Sequence, residues 1–110
     1  MEIEAILKLA PVMPVITLER IEQALPLARA LLAGGVRALE VTLRTPVALR
    51  AIELLAGHDE GWVVGAGTVT TAAEYQSVVE AGARFAVSPG LTPALAAAGQ
   101  QGPIPLLPGV

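Results

Sequence analysis

The segment Leu39-Glu40-Val41-Thr42-Leu43-Arg44-Thr45 decides the fold, because its apolar and polar residues alternate. Such alternation predicts a β-strand, and side chains two positions apart lie on the same face of a strand. Glu40, Thr42 and Arg44 therefore share one face, and the three apolar side chains share the other. If helices cover this strand on both sides, a carboxylate and a guanidinium on a covered face require a functional explanation.

The rest of the chain alternates between predicted strands and predicted helices. Thr71 and Glu74 form a capping box at the start of one helix. Pro46 suits the first turn of another helix, whereas Pro26 predicts either a kink or a late start. Helices are predicted at 2–9, 18–33, 46–56, 71–82 and 92–99, and strands at 12–17, 38–43, 62–66, 85–87 and 104–107.

This regular alternation predicts a parallel sheet, for which two architectures remain open. A doubly wound sheet packs helices on both faces, so both faces of its strands are apolar. A (β/α)8 barrel, or TIM barrel, packs helices only outside, and its inner face carries polar side chains near the catalytic end. The polar face of residues 39–45 favours the barrel. We therefore predict an α/β fold, with residues 1–110 forming a single partial barrel domain of about five strands and four to five helices.

The composition disfavours several classes of function. The 110 residues are 54% hydrophobic and 15% charged, with a net charge of −3. This composition predicts that the chain either associates with copies of itself or is part of a larger body. Nucleic acid is not an expected partner, because there is neither a basic cluster nor a set of stacking aromatic residues. The chain has no cysteine, which excludes thiolate metal sites, and we expect the single histidine, His58, to be solvated in a loop.

A membrane location is also disfavoured. Residues 85–110 carry no charge, but five prolines interrupt them, so this segment suits a buried core better than a membrane helix. The opening Glu2-Ile3-Glu4 lacks the basic region that begins a signal peptide. We therefore expect a cytoplasmic protein.

Polar groups are predicted at the carboxyl ends of three strands, where barrel active sites lie. Glu40 and Arg44 belong to the second strand, Thr68 follows the glycine-rich segment 65–67, and Ser88 opens a turn after the fourth strand. Burial raises the pKa of a carboxyl and a nearby arginine lowers it, a combination that suits a general acid–base. An arginine and a threonine suit a carboxylate or a phosphate. The expected reaction is proton transfer beside a carbonyl on a small anionic substrate.

Each of these groups also has a structural interpretation. Glu40 and Arg44 would form an ion pair only if both side chains leaned together, because four strand steps span about 13 Å. Glycines 65 and 67 would serve either phosphate binding or tight packing at the barrel rim. Thr68 would then simply begin a loop. Ser88 fits a turn better than a nucleophile, because no histidine lies near it in sequence.

Four motifs, at residues 40–45, 65–69, 87–90 and 105–109, resemble in order and spacing those of the 2-keto-3-deoxy-6-phosphogluconate (KDPG) aldolase family. This family also handles 4-hydroxy-2-oxoglutarate (KHG). The resemblance extends along nearly the whole chain from Pro14-Val15-Ile16 onward. The arginine in the second strand resembles the phosphogluconate type more than the related phosphogalactonate aldolases.

The resemblance implies a (β/α)8 barrel, usually trimeric, with class I aldolase chemistry in the Entner–Doudoroff pathway of carbohydrate metabolism. Such a lyase splits KDPG into pyruvate and glyceraldehyde 3-phosphate through a Schiff base. Glu40 would shuttle protons, and Arg44 and Thr68 would bind the pyruvyl part of the anionic keto acid. No metal or organic cofactor is implied.

The Schiff-base lysine of the family lies on the sixth strand, in a motif like Lys-Phe-Phe-Pro-Ala, which these 110 residues do not contain. Their only lysine is Lys8, so we expect the 110-residue chain alone to be inactive. The alternative hypothesis is a non-catalytic half-barrel that folds by self-association or with a partner. A small doubly wound regulatory domain is disfavoured, because it needs an acidic metal pocket at its strand ends. The only aspartate, Asp59, follows a predicted helix instead.

Overall fold

The computed structural model describes residues 13–58 and 60–108, so the predicted helix at 2–9 lies outside the described residues. Strands and helices alternate within this part of the chain, as predicted. The elements are β1 (Val15–Ile16), a 3-10 turn (Ile21–Gln23), α1 (Ala24–Ala33), β2 (Ala38–Thr42), α2 (Ala48–Ala56), β3 (Val63–Gly67), α3 (Ala72–Ala81), β4 (Ala86–Ser88), α4 (Pro93–Gln101) and β5 (Leu106–Pro108).

The five strands form one parallel sheet in the order β1-β2-β3-β4-β5. A doubly wound sheet reverses its order at a switch point, whereas consecutive strands of a barrel lie side by side. The sequential order therefore confirms the prediction of the first part of a barrel. The register aligns Val15 with Glu40 and Glu40 with Gly65, so these three residues lie in one row across the sheet.

The outer face of the sheet carries the main hydrophobic core. Leu39 and Val41 of β2 are fully buried against the helices, together with Ile52 and Leu55 of α2. Leu43 packs against the same cluster. The apolar half of the 39–45 segment therefore faces outward to the helices, as the alternation predicts.

The inner face has a smaller apolar cluster of its own. Phe85 and Ala38 are fully buried there, and Met13, Val63, Val87 and Leu107 pack around them. Phe85 immediately precedes β4, so this cluster fills the inner face towards the amino ends of the strands. The polar side chains of β2 lie beyond it, towards the carboxyl ends.

The helix boundaries follow from local chemistry. Thr71 Oγ1 accepts a hydrogen bond from the Glu74 backbone N–H at 3.0 Å, and the Glu74 carboxylate accepts one from the Thr70 N–H at 2.7 Å. The predicted capping box therefore forms in part, with the carboxylate bound one residue earlier than the cap. Gly82 ends α3 with a φ of 98°, a left-handed conformation that suits glycine.

Some predicted boundaries differ from the observed ones. Pro26 marks a late start, because α1 begins at Ala24 and places the proline in its first turn, where no N–H is needed. Pro46 lies in the turn before α2 rather than inside it, since α2 begins at Ala48. Strand β5 begins at Leu106, two residues later than predicted, and Ile104 instead binds α3: its carbonyl accepts a hydrogen bond from the Tyr75 hydroxyl at 2.6 Å.

Candidate functional site

The predicted site residues lie at the carboxyl ends of β2 and β3. Glu40 is inside β2 and is only 8% exposed, Arg44 lies in the exposed turn that follows β2, and Thr68 directly follows β3. Glu40 and Thr42 therefore share one face of β2, as predicted. Arg44 lies beyond the end of the strand, so the alternation does not extend to it. Because neighbouring parallel strands end at the same edge of the sheet, all three groups occupy one edge.

Burial raises the pKa of the Glu40 carboxyl above its usual range, and the positive charge of Arg44 opposes that shift. A carboxyl with a raised pKa takes up and releases protons closer to neutral pH, which suits acid–base chemistry. The charge of Arg44 is therefore felt at Glu40. The two ion pairs among the described residues, Arg20–Glu22 and Arg29–Glu60, do not involve either group.

The two glycines of β3 make room for two different side chains. A Cβ built on Gly65 would overlap the ring of Phe85. A Cβ built on Gly67 would overlap Oε2 of Glu40 and would lie 2.8 Å from its Cδ. Both glycines therefore permit tight packing at this edge, and the side chain that approaches Gly67 is the candidate catalytic carboxylate.

Thr68 adopts a backbone conformation that β-branched residues rarely tolerate. Its φ is 60°, the one positive value at a non-glycine among the described residues. Such conformations are strained and concentrate at functional sites, where the surrounding structure maintains them. The neighbouring Val69 holds this turn to β4 through a 3.0 Å hydrogen bond from its N–H to the Val87 carbonyl.

The turn that carries Arg44 is tied to both neighbouring strands. The Leu43 N–H donates to the Gly67 carbonyl at 2.9 Å, which continues the β2–β3 ladder beyond Thr42. On the other side, the Thr45 hydroxyl donates to the Leu18 carbonyl after β1. Arg44 is therefore an exposed cation on an anchored backbone, an arrangement that suits a bound anion.

Sequence reasoning missed the contribution of β1. The Thr42 hydroxyl lies 2.9 Å from the Thr17 hydroxyl and donates to the Ile16 carbonyl at 3.3 Å. This pair links β1 to β2 at the same edge and satisfies the buried hydroxyl of Thr42. Thr17 is exposed and follows β1 directly. The signal that could have found Thr17 is a hydroxyl-bearing residue at the end of a predicted strand.

Two other predicted groups have local partners. The Ser88 hydroxyl donates to the Gly90 carbonyl and accepts from the Gly90 N–H at 3.2 Å, so Ser88 holds a turn, as predicted. His58 is half-buried rather than solvated, because its Nδ1 lies 2.8 Å from the Leu54 carbonyl at the end of α2. The described residues contain no group of three or more His, Cys, Asp or Glu side chains arranged to hold a metal ion. None of the described helices is long and apolar enough to cross a membrane.

Comparison with known families gives a match over nearly the whole chain. The family model described as KDPG and KHG aldolase matches residues 3–110. A 2-dehydro-3-deoxy-phosphogluconate aldolase of Dickeya dadantii is 52% identical over 107 residues, which are 97% of this chain and 50% of that protein. The KHG/KDPG aldolase of Escherichia coli K12 is also 52% identical, with the same coverage.

Solved structures agree with the sequence matches. A KDPG aldolase from Legionella pneumophila, with pyruvate captured as a covalent carbinolamine, is 54% identical with a TM-score of 0.96, and the match covers 100% of this chain and 53% of that one. A 2-keto-3-deoxy-6-phospho-gluconate aldolase from Zymomonas mobilis is 50% identical with a TM-score of 0.95, and its coverage is the same. The chain thus spans about half the length of the relatives it matches.

Proposed function

Because this chain belongs to the KDPG and KHG aldolase family, we propose that the complete protein is a class I aldolase. Its substrate would be 2-keto-3-deoxy-6-phosphogluconate, which it would cleave to pyruvate and glyceraldehyde 3-phosphate, and 4-hydroxy-2-oxoglutarate would be a second substrate. The observation that carries the proposal is the buried Glu40 carboxyl, whose pKa burial raises, at one sheet edge with Arg44 and Thr68.

Glu40 would move the protons of the reaction. A Schiff-base lysine, which the family carries beyond the segment matched here, would turn the keto carbon into an iminium that accepts electrons. As the bond between C3 and C4 breaks, Glu40 would take the proton of the C4 hydroxyl, and the electron pair would pass to the iminium to form an enamine. Glu40 would then return a proton to C3. A carboxyl with a raised pKa suits both directions of this transfer.

Arg44 and Thr68 would hold the carboxylate of the pyruvyl part. A guanidinium binds a carboxylate through charge-assisted hydrogen bonds, and the Arg44 turn is fixed to both neighbouring strands. Thr68 directly follows β3 with a left-handed backbone, and it is next in sequence to Gly67, the glycine that the Glu40 carboxylate approaches. Both contacts persist throughout the reaction, so they would contribute mainly to substrate binding.

The test uses the protein expressed from the whole gene that encodes this chain. Borohydride should trap a pyruvate adduct on it, and solvent deuterium should exchange into the pyruvate methyl group. Glu40→Gln should slow cleavage and exchange by about 100- to 10,000-fold while the adduct still forms. Arg44→Ala should chiefly raise KM. Arg50→Ala removes an exposed arginine from the outer helix α2 and is the matched control.

Two results would contradict the proposal. A wild-type protein that traps no pyruvate is not a Schiff-base aldolase of this kind. Near-normal turnover in Glu40→Gln would remove Glu40 from the mechanism.

A non-catalytic half-barrel is the second candidate, because the described strands form an open sheet whose inner face such a chain would have to cover. Val15, in the same row as Glu40, is 64% exposed, although it lies on the face that a closed barrel covers. In this case the chain would complete its barrel with copies of itself. The mass of the mature protein and the presence of a downstream lysine motif in the gene separate the two candidates.

We further infer that the complete protein is a closed (β/α)8 barrel, that it forms a homotrimer and that it acts in the cytoplasm, as the family resemblance implies. The apolar composition, 54% hydrophobic with 15% charged residues, supports assembly. Sedimentation velocity of the full gene product tests the oligomer. A stable monomer would contradict the trimer without affecting the proposed chemistry.

A further inference from the structure

We propose that Gly67 is a positioning residue for Glu40: its missing side chain leaves the space that the carboxylate occupies above β3. This inference deepens the proposed aldolase function and rests on it. The contact itself is direct, because a Cβ at Gly67 would overlap Oε2 of Glu40 and lie 2.8 Å from Cδ. Gly67 acts through Glu40 and does not touch substrate.

The register shows that the Glu40 side chain leans along the sheet. The Cα of Glu40 is aligned with Gly65, whereas its carboxylate lies over Gly67, two residues farther towards the carboxyl end of β3. The two residues from Gly65 to Gly67 span about 6.6 Å along the strand. The lean therefore carries the carboxylate towards the edge where Thr68 and Arg44 lie.

The space opposite Glu40 is already occupied. The ring of Phe85 lies over Gly65, where a Cβ would overlap three of its ring carbons. Phe85 is fully buried and belongs to the inner-face cluster, so it cannot easily move aside. The ring closes the space over Gly65, and the missing side chain at Gly67 leaves the carboxylate room to extend towards the site.

An alanine at each glycine has different consequences. At Gly65 the added methyl meets a buried aromatic ring, so Gly65→Ala should destabilise the fold. At Gly67 the added methyl meets the far end of a flexible side chain that lies near the mouth of the site. Gly67→Ala should therefore keep the fold and displace the Glu40 carboxylate towards water.

The first experiment is a double-mutant cycle in the full gene product. Gly67→Ala should lower kcat for cleavage, and deuterium exchange into pyruvate, by more than about tenfold, with KM and pyruvate trapping nearly unchanged. In the Glu40→Gln background, the same change should alter the residual rate less than about twofold, because its target is gone. Gly34→Ala is the matched control, since its Cβ would find its nearest atom at an ordinary 3.5 Å.

A second measurement does not depend on aldolase activity. The Glu40 carboxyl signal, labelled with carbon-13 and assigned by its loss in Glu40→Gln, reports its titration by NMR. Displacement into water should lower the pKa of Glu40 in Gly67→Ala, since burial raises it in the parent. Arg44 is the charged group that acts on Glu40, and Arg44→Ala should shift this titration in the opposite direction.

The outcomes separate the two proposals. If wild-type protein traps no pyruvate, the aldolase proposal fails, and the NMR titration alone decides the role of Gly67. An unchanged Glu40 titration in Gly67→Ala overturns the inference. So does a cycle in which the effects of Gly67→Ala and Glu40→Gln on kcat multiply, because Gly67 would then act by a route other than Glu40.

Discussion

Thr68→Gly tests whether the strained backbone at the end of β3 is maintained for function. The φ of 60° at Thr68 costs a β-branched residue about 1–2 kcal/mol, and glycine adopts it freely. Glycine also lowers the free energy of unfolding by about 0.5–1 kcal/mol, because it gives the unfolded chain more conformational freedom. The two terms nearly cancel, so the free energy of unfolding of Thr68→Gly should lie within about 1 kcal/mol of the parent, despite the loss of a half-buried side chain.

Thr42→Gly is the matched control, because it makes the same change at an extended, buried position. Thr42 is 1% exposed, and its hydroxyl binds the Thr17 hydroxyl and the Ile16 carbonyl. At this position glycine should lower the free energy of unfolding through three terms. These are about 0.5–1 kcal/mol for the entropy of the unfolded chain, about 1 kcal/mol for the lost hydrogen bonds and about 0.8 kcal/mol for the lost methyl burial. Thr42→Gly should therefore cost about 2–3 kcal/mol, with no strain relieved in return.

Urea unfolding of the full gene product, followed by far-UV circular dichroism, measures both variants. With a slope of about 1–3 kcal/mol per molar urea, Thr42→Gly should shift the midpoint by about 0.7–3 M, and Thr68→Gly should shift it much less. The KM of Thr68→Gly for the keto acid should nevertheless rise. If Thr68→Gly loses as much stability as Thr42→Gly, Thr68 is not strained and this reasoning is wrong.

Three further predictions concern other parts of the molecule. Glu40→Gln should be more stable than the parent at about pH 7 but not at about pH 3. Burial raises the pKa of Glu40, so the parent loses stability as the carboxyl ionises with rising pH. Parallel pH–stability curves for the two proteins would refute this. Tyr75→Phe should cost about 1–3 kcal/mol in urea unfolding, because the Ile104 carbonyl loses its donor; an unchanged midpoint would contradict it. A polypeptide of residues 1–110 should associate through its open sheet edges, and it should trap no pyruvate with borohydride, since its only lysine is Lys8. A monomer would refute the first expectation, and an adduct would refute the second.

Much of the fold was predictable, because it depends on periodicity and on residues with strong local preferences. The alternation in β2 correctly separated the helix-facing Leu39 from the inward-facing Glu40. Thr71 and Gly82 marked the ends of α3, because a cap side chain and a left-handed glycine act within one turn of the chain. Boundaries that depend on packing were less predictable: β5 begins late because Ile104 binds Tyr75, a residue 29 positions earlier in the chain.

The candidate site divides in the same way. The sequence by itself placed Glu40, Arg44 and Thr68 near strand ends, because residue type and strand period are local properties. Only the tertiary structure decided which side chain fills the space above each glycine of β3, that Thr68 is left-handed, and that Thr17 supports Thr42. These contacts join residues on different strands, and their geometry depends on register and on the volume of neighbouring side chains. A single strand carries no information about either, so the position of the Glu40 carboxylate is a property of the folded sheet.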